Sequence, residues 1–177
     1  MNWPLNVNNF KVKEFESKMA AYVGCKYAVF VSSGSTANTL LADYQKSIAG
    51  DKDIVVLPST TWQTSCSPWI KAGFKAKFID VNLLDFSMDR YELDKFLSKN
   101  RNKVACVFPT SLIGFTPKMD DYKFFARQYN VNINFDNCEN TFGTYKGQNV
   151  SSFFTSTTST YFGHQIQSIE GGFIFTN

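Results

Sequence analysis

A turn of short polar residues at positions 32–36 is the first feature that could carry chemistry. Its sequence is Ser-Ser-Gly-Ser-Thr, and it lies between an apolar segment and a stretch of helical character. The first turn of a helix has unpaired backbone N–H groups and a dipole that attracts anions, so this turn favours a phosphate. The same residue types are common helix caps, so an ordinary N-cap is the alternative. The turn matches neither the G-x-G-x-x-G pattern of dinucleotide sites nor the G-x-x-x-x-G-K-S/T pattern of nucleotide triphosphatases.

Asp136 and Trp62 each follow a segment that reads as a strand. Ligands of open α/β folds bind at the carboxyl ends of the strands, so both side chains are expected at that edge of the sheet. A carboxylate there could pair with a protonated ring nitrogen, and an indole could stack on a flat ligand. An Asx turn or helix cap is the alternative for Asp136, and core packing is the alternative for Trp62.

Ser159 and His164 complete this set towards the carboxyl end. His164 is the only histidine of the chain and lies beside Gly163 in a polar loop. An imidazole can take up and release a proton near neutral pH, so His164 is a candidate acid–base group, although a lone histidine is more often structural. The four cysteines lack the close paired spacing of zinc or redox sites, so no metal is predicted and reduced thiols are expected.

Strand-length apolar runs alternate with helix-period segments, which predicts an α/β fold with a mainly parallel sheet. One of these helices contains Pro68, where a bend or break is expected. The predicted helices are 11–23, from the polar turn to about 48, 62–72, 90–98 and 119–129, and the predicted strands are 27–31, 54–57, 76–81, 104–108, 131–135, 155–162 and 172–176.

Length, charge and composition restrict the remaining possibilities. The 177 residues, 44% hydrophobic and 16% aromatic, predict one folded domain over 1–177 with a phenylalanine-rich core. The net charge of +3 is small and its lysines are scattered, which argues against nucleic-acid or membrane partners. The first ten residues lack the layout of a secretion signal, so a cytoplasmic location is expected.

Five ordered segments resemble one family of enzymes. They are KVKEFESKMAAYVGCKYAVFVSSGSTAN, VLPSTTWQTS, AKFIDVN, FDNCEN with TYKG, and STYFGHQIQSIEGGFIFTN. In this order they resemble fold type I pyridoxal-phosphate enzymes, and within them the DegT/StrS family of nucleotide-sugar aminotransferases and dehydratases. The resemblance implies that 1–177 is a single, incomplete cofactor-binding large domain, truncated before the last strand and a small carboxyl-terminal domain. It also implies a role in polysaccharide or deoxysugar biosynthesis.

The resemblance assigns a role to each site residue. Pyridoxal phosphate or pyridoxamine phosphate would be the cofactor, and Trp62 would stack on its ring. Asp136 would hold the ring nitrogen protonated, and Glu139 stands where the family usually has a glutamine near the ring hydroxyl. The phosphate would be held by Gly34, Ser35, Thr36 and Ser159.

His164 stands where an aminotransferase of this family has its Schiff-base lysine, and no lysine follows Lys146. Histidine there resembles the 3-dehydratases of 4-keto-6-deoxy nucleotide sugars, which implies dehydration at C3 with His164 as acid and base. The sequence departs from that pattern at Gln165, where a second histidine is common, and at Ser111 and Phe135.

Two other functions remain open at this point. The chain could be an aminotransferase-like enzyme of the same family, with a lysine supplied by another chain, or a noncatalytic remnant or binding protein. The expected partners are a nucleotide-linked keto sugar and either a second copy of the chain or a complementing carboxyl-terminal chain.

Overall fold

The computed structural model describes residues 10–177, in which helices alternate with strands and confirm the predicted α/β class. Residues 1–9, most of the segment predicted to lack a secretion signal, lie outside the described residues. The helices are α1 (Phe10–Val23), α2 (Gly34–Ile48), α3 (Gln63–Lys71), α4 (Arg90–Asn100) and α5 (Met119–Tyr129). The strands are β1 (Tyr27–Val31), β2 (Ile54–Pro58), β3 (Lys75–Ile79), β4 (Val104–Val107), β5 (Asn134–Asp136), β6 (Thr144–Tyr145), β7 (Gln148–Asn149), β8 (Thr155–Ser159) and β9 (Gly172–Thr176). Two 3₁₀ turns span Leu112–Gly114 and Val150–Ser152.

The large sheet has the strand order β3-β2-β4-β5-β8-β9-β1. Ladders define β3-β2-β4 and β5-β8-β9-β1, and parallel bridges from Val107 to Ile133 and from Thr110 to Asp136 join β4 to β5. Strand β9 is antiparallel to both β8 and β1, whereas the other pairings in this sheet are parallel. The predicted mainly parallel sheet is therefore confirmed, and the carboxyl ends of its parallel strands share one edge.

Helices cover both faces of this sheet. Val55 and Leu57 of β2 pack in a buried cluster with α2 and α3, whereas Val56 packs in a second cluster with α4 and α5. Burial on both faces is typical of parallel strands and explains why β2 reads as an unbroken apolar run. A third cluster packs α1 against Phe173 and Phe175 of β9. Within residues 10–177, no helix has both the length and the apolar character needed to cross a bilayer.

The expected bend or break at Pro68 does not interrupt α3, which continues through this residue. Proline has no N–H, so the Thr64 carbonyl one turn earlier is left without its usual helical donor. The Asn38 side chain replaces that donor, with 3.1 Å between Asn38 Nδ2 and Thr64 O. The expected break at Pro68 was therefore wrong, because a neighbouring helix supplies the missing hydrogen bond, whereas the expected bend stays a prediction.

β3 and β4 are each one residue shorter than predicted, and β5 and β8 are shortened further. β5 begins at Asn134 because, of residues 131–136, only the last three pair with β8. β8 ends at Ser159. Thr160 N still donates to Gly171 O in the register of the ladder, but Thr160 O accepts from Ser168 N, which begins a loop. This loop, residues 160–171, carries His164.

We predict that Cys106 makes the fold sensitive to alkaline pH. Burial raises the pKa of this thiol in β4 from 9.0 to about 12. The thiol therefore ionises first in the unfolded chain, so its contribution to stability is complete below pH 9.0 and is lost as the pH rises towards 12. The expected loss is about 1.4 kcal/mol per pH unit in this window. Urea unfolding across the window should show a smaller loss in Cys106→Ser, and equal losses would contradict the prediction.

Candidate active site

The polar turn at 32–36 caps α2 and opens onto a cavity. Ser33 is the N-cap in an extended conformation, and its Oγ accepts from Thr36 N at 3.0 Å. The Thr36 hydroxyl lies 2.9 Å from the hydroxyls of both Ser32 and Ser33. Gly34 and Ser35 line the cavity, whereas Thr36 belongs to the cap network behind it. The turn is thus an N-cap and also a helix amino terminus that faces open space, so the two interpretations are compatible.

Two glycines allow neighbouring strands to pack against this turn. A Cβ on Gly34 would lie 2.8 Å from Ser159 Cβ and 2.9 Å from Cys138 Sγ. A Cβ on Gly172 would lie 2.5 Å from the carbonyl carbon of Ser33. All three distances are too short for a real Cβ, so the absence of side chains lets the ends of β8 and β9 reach the turn. This close packing brings the predicted phosphate ligand Ser159 to Gly34.

Asp136 lies at the carboxyl end of β5, where it is buried and accepts hydrogen bonds from three donors. Its Oδ2 accepts from Ser65 Oγ at 2.6 Å and from Asn38 Nδ2 at 2.9 Å, and its Oδ1 accepts from the Cys138 N–H at 3.1 Å. Thr157 Oγ1 in turn donates to Asn38 Oδ1 at 2.6 Å. These contacts fix the carboxylate in one orientation at the cavity wall, which is more than an Asx turn requires.

The cavity has a volume of about 530 Å³. Trp62 lies at the edge of the cavity, at the N-cap of α3, and is 67% exposed. The alternative prediction that this indole packs in the core is therefore wrong. The predicted site residues Gly34, Ser35, Trp62, Asp136, Glu139, Ser159 and His164 all line the cavity. The remaining lining residues are Ser33, Thr64, Ser65, Thr110, Cys138, Tyr161, Gly163 and Glu170.

His164 is half-buried in the loop that follows β8. Its backbone N–H donates to Tyr161 O at 2.9 Å, and the rings of His164 and Tyr161 meet edge to face with centroids 6.1 Å apart. A second cavity of about 340 Å³ shares His164, Gly163 and Glu139 with the first, and Ile113 and Gln165 complete its lining. The imidazole is therefore placed between two spaces that could hold different molecules.

The first cavity is rich in carboxylates. Asp136, Glu139 and Glu170 line it with His164, and no lysine or arginine is among its lining residues in the described part of the chain. The thiol of Cys138 also lines it, and burial, with the nearby Asp136 carboxylate, holds the pKa of this thiol well above its ordinary value. Cys138 is therefore neutral at physiological pH and a poor nucleophile.

Sequence reasoning missed the residues that hold Asp136. Asn38 and Ser65 are each 1% exposed, and each is a polar residue on the packed face of its helix. An asparagine on the inward face of an amphipathic helix was the available signal, because a buried amide requires partners. Thr157 gave no such signal, because it stands in a run of serines and threonines.

We predict that Asn38→Leu destabilises the fold by about 3 kcal/mol, because Asp136 loses a donor while Thr157 and the Thr64 carbonyl lose their buried partner. Urea unfolding measures this change. Ser47→Ala on the exposed side of α2 is the matched control, and its expected effect is below about 0.5 kcal/mol. Similar stabilities of the two variants would show that the network around Asp136 is dispensable.

Comparisons with known proteins agree with the fold. Residues 5–177 match the model of the DegT/DnrJ/EryC1/StrS aminotransferase family, and the chain belongs to this family. It is 31% identical to a GDP-4-keto-6-deoxy-D-mannose 3-dehydratase of Yersinia pseudotuberculosis over 94% of this chain and 43% of that protein. It is 28% identical to a UDP-4-amino-4,6-dideoxy-N-acetyl-beta-L-altrosamine transaminase of Campylobacter jejuni, covering 94% of this chain and 44% of that protein.

A solved structure of a relative has the same fold as this chain. The Escherichia coli GDP-4-keto-6-deoxy-D-mannose-3-dehydratase with bound hydrated PLP superposes with a TM-score of 0.83 and 27% identity. The match covers 93% of this chain and 43% of that one. The chain thus spans less than half the length of the relatives it matches, while its fold and family are those of pyridoxal-phosphate-dependent sugar dehydratases and aminotransferases.

Proposed function

We propose that the chain binds pyridoxal phosphate or pyridoxamine phosphate and forms part of an enzyme for 3-dehydration of a 4-keto-6-deoxy nucleotide sugar. The observation that carries this proposal is the convergence of the α2 amino terminus, Trp62, Asp136 and His164 on one cavity. The chain's similarity to a 3-dehydratase over nearly its whole length supports the same reaction. A single cofactor-binding large domain over 1–177 is part of this proposal.

The cavity residues suit this cofactor in shape and in hydrogen-bonding groups. The first N–H groups of α2, at Gly34 and Ser35, would hold the phosphate together with Ser159, and Thr36 would support this turn from the cap network. Gly34 leaves open the space beside Ser159 that a side chain would fill. Trp62 would cover one ring face. Asp136, fixed by three donors, would keep the ring nitrogen protonated, and Glu139 would lie towards the ring hydroxyl.

His164 is the group that would move protons. When bound, the cofactor provides an electron sink beside the sugar's ketone. His164 would take a proton from the cofactor's aminomethyl carbon and deliver a proton to the departing C3 hydroxyl, because one imidazole can serve as base and then as acid. Its position between the two cavities supports this role, since cofactor and sugar could reach the ring from different sides.

The aminotransferase alternative requires an amine that the cavity lacks. Neither cavity has a lysine in its lining among the described residues, and Lys146, the last lysine of the sequence, pairs with Asp120 at 2.6 Å. A second copy or a complementing carboxyl-terminal chain would have to supply that lysine. Such a partner would also supply cationic groups for the phosphate and for a nucleotide-linked keto sugar.

The cofactor part of the proposal is tested by titrating the chain with pyridoxamine phosphate and following the cofactor's absorbance. Saturable binding is expected, and Asp136→Asn should weaken it by about tenfold, since a charge-assisted bond becomes neutral. No saturable binding, even with a supplied carboxyl-terminal half, would refute it.

The choice between the two reactions is tested by borohydride reduction with pyridoxal phosphate. A dehydratase that uses His164 should give no covalent adduct at a defined lysine. An adduct at one lysine, from this chain or a partner, would favour the aminotransferase.

A further inference from the structure

The Leu112–Gly114 turn, at the carboxyl end of β4, has an unusual backbone conformation. Ile113 has φ 54° and Gly114 has φ 81°, so two consecutive residues occupy the left-handed region. This region is common for glycine and strongly disfavoured for a β-branched residue such as isoleucine. The Ile113 side chain is 71% exposed, so burial of its own side chain does not explain the conformation.

Glu139 supplies the contacts that hold this turn. Its carboxylate accepts a hydrogen bond from the Ile113 N–H. Its backbone carbonyl also lies 3.6 Å from the position that a Cβ on Gly114 would take. Backbone outliers that are held in place by such contacts are often found beside functional sites.

The turn and Glu139 together form part of the wall of the second cavity. Ile113 and Glu139 line that cavity with His164, Gly163 and Gln165, and Glu139 also lines the first. A change in the turn would therefore alter the space beside His164.

Glu139 differs from a glutamine at the same position in the hydrogen bonds that its side chain can make. A glutamine amide can donate to a ring oxygen that has lost its hydrogen, whereas a carboxylate can only accept. One oxygen of Glu139 already accepts from Ile113, which leaves the other for a hydroxyl or ammonium donor. A sugar hydroxyl offers such a donor.

We propose that Glu139 is a positioning residue for the second cavity: it holds the Leu112–Gly114 turn and leaves one carboxylate oxygen for a donor on the substrate's sugar. The assignment of a sugar to the second cavity rests on the proposed function. The hydrogen bond by which Glu139 holds the turn does not.

Amide hydrogen exchange of the 177-residue chain, followed by NMR, tests the hold on the turn directly. The Ile113 amide should exchange at least about tenfold faster in Glu139→Ala than in the unaltered chain, since one hydrogen bond is lost. Glu139→Gln keeps an acceptor and should restore most of the protection. Asp43→Asn, a charge change on the exposed side of α2, should leave the exchange unaltered. Equal exchange in the unaltered chain and Glu139→Ala would overturn the proposal.

Turnover measurements on the same variants test the sugar contact. KM for a nucleotide-linked 4-keto-6-deoxy sugar, with the complementing half present, should rise by about tenfold in Glu139→Ala. An unaltered KM would overturn this proposal. Failure of the unaltered chain to bind the cofactor would refute the proposed function, while the exchange result at Ile113 would stand.

Discussion

His164→Asn is expected to lower turnover of a 4-keto-6-deoxy nucleotide sugar by about 10² to 10⁴-fold, the usual contribution of one acid–base group. Asparagine is close to histidine in size and polarity but cannot exchange a proton at neutral pH. His164 is half-buried and makes its hydrogen bond to Tyr161 through the backbone, so the loop should keep its conformation. The measurement is the rate of the 3-deoxy product, with pyridoxamine phosphate and the complementing half of the enzyme present.

The control for this variant is Gln167→Asn, an exposed residue of the same loop, which should keep full turnover. Pyridoxamine phosphate should bind His164→Asn with an affinity close to that of the unaltered chain, because the phosphate turn and Asp136 are untouched. Turnover of His164→Asn within a few-fold of the control would remove His164 from the proton-transfer steps.

Gly172→Ala is expected to destabilise the fold by about 2 kcal/mol or more and to impair phosphate binding. The added Cβ would lie 2.5 Å from the carbonyl carbon of Ser33, 2.6 Å from its oxygen and 2.7 Å from Gly34 N. All three are backbone atoms, so no rotation of a side chain relieves the clash, and β9 or the turn must move. Urea unfolding and titration with pyridoxamine phosphate measure the two effects.

Gly163→Ala is the matched control for stability. It lies in the neighbouring loop, and its added Cβ would meet the Tyr161 ring at 3.4 Å, a distance that a side chain can accommodate. Its unfolding free energy should stay within about 0.5 kcal/mol of that of the unaltered chain. Equal stability of Gly172→Ala and Gly163→Ala would show that β9 does not press against the phosphate turn.

The α/β alternation and the positions of the candidate site residues were predictable because they depend on local patterns. The apolar run of β2 indicates a strand buried on both faces, and Ser33 followed by Gly34 indicates a helix start. Asp136 and Trp62 were expected at one sheet edge because each follows a strand. Their convergence with His164 on one cavity agrees with that expectation, while their roles stay predictions.

Other features depend on residues that are far apart in the chain. Asn38 and Asp136 are 98 positions apart, and Thr157 is 119 positions from Asn38, so no local pattern indicates their hydrogen bonds. The continuity of α3 through Pro68 also depends on Asn38, which belongs to a different helix.

The sequence by itself determined the class of fold, the elements and the residue types that could hold a phosphate, a ring and a proton. Only the tertiary structure decided which groups fix those residues: Asn38 and Ser65 on Asp136, Gly172 against the turn at Ser33, and Glu139 on Ile113. The physical reason is that hydrogen bonds and steric limits act between atoms a few ångströms apart, whatever their separation along the chain. Local patterns report only the residues that are neighbours in sequence.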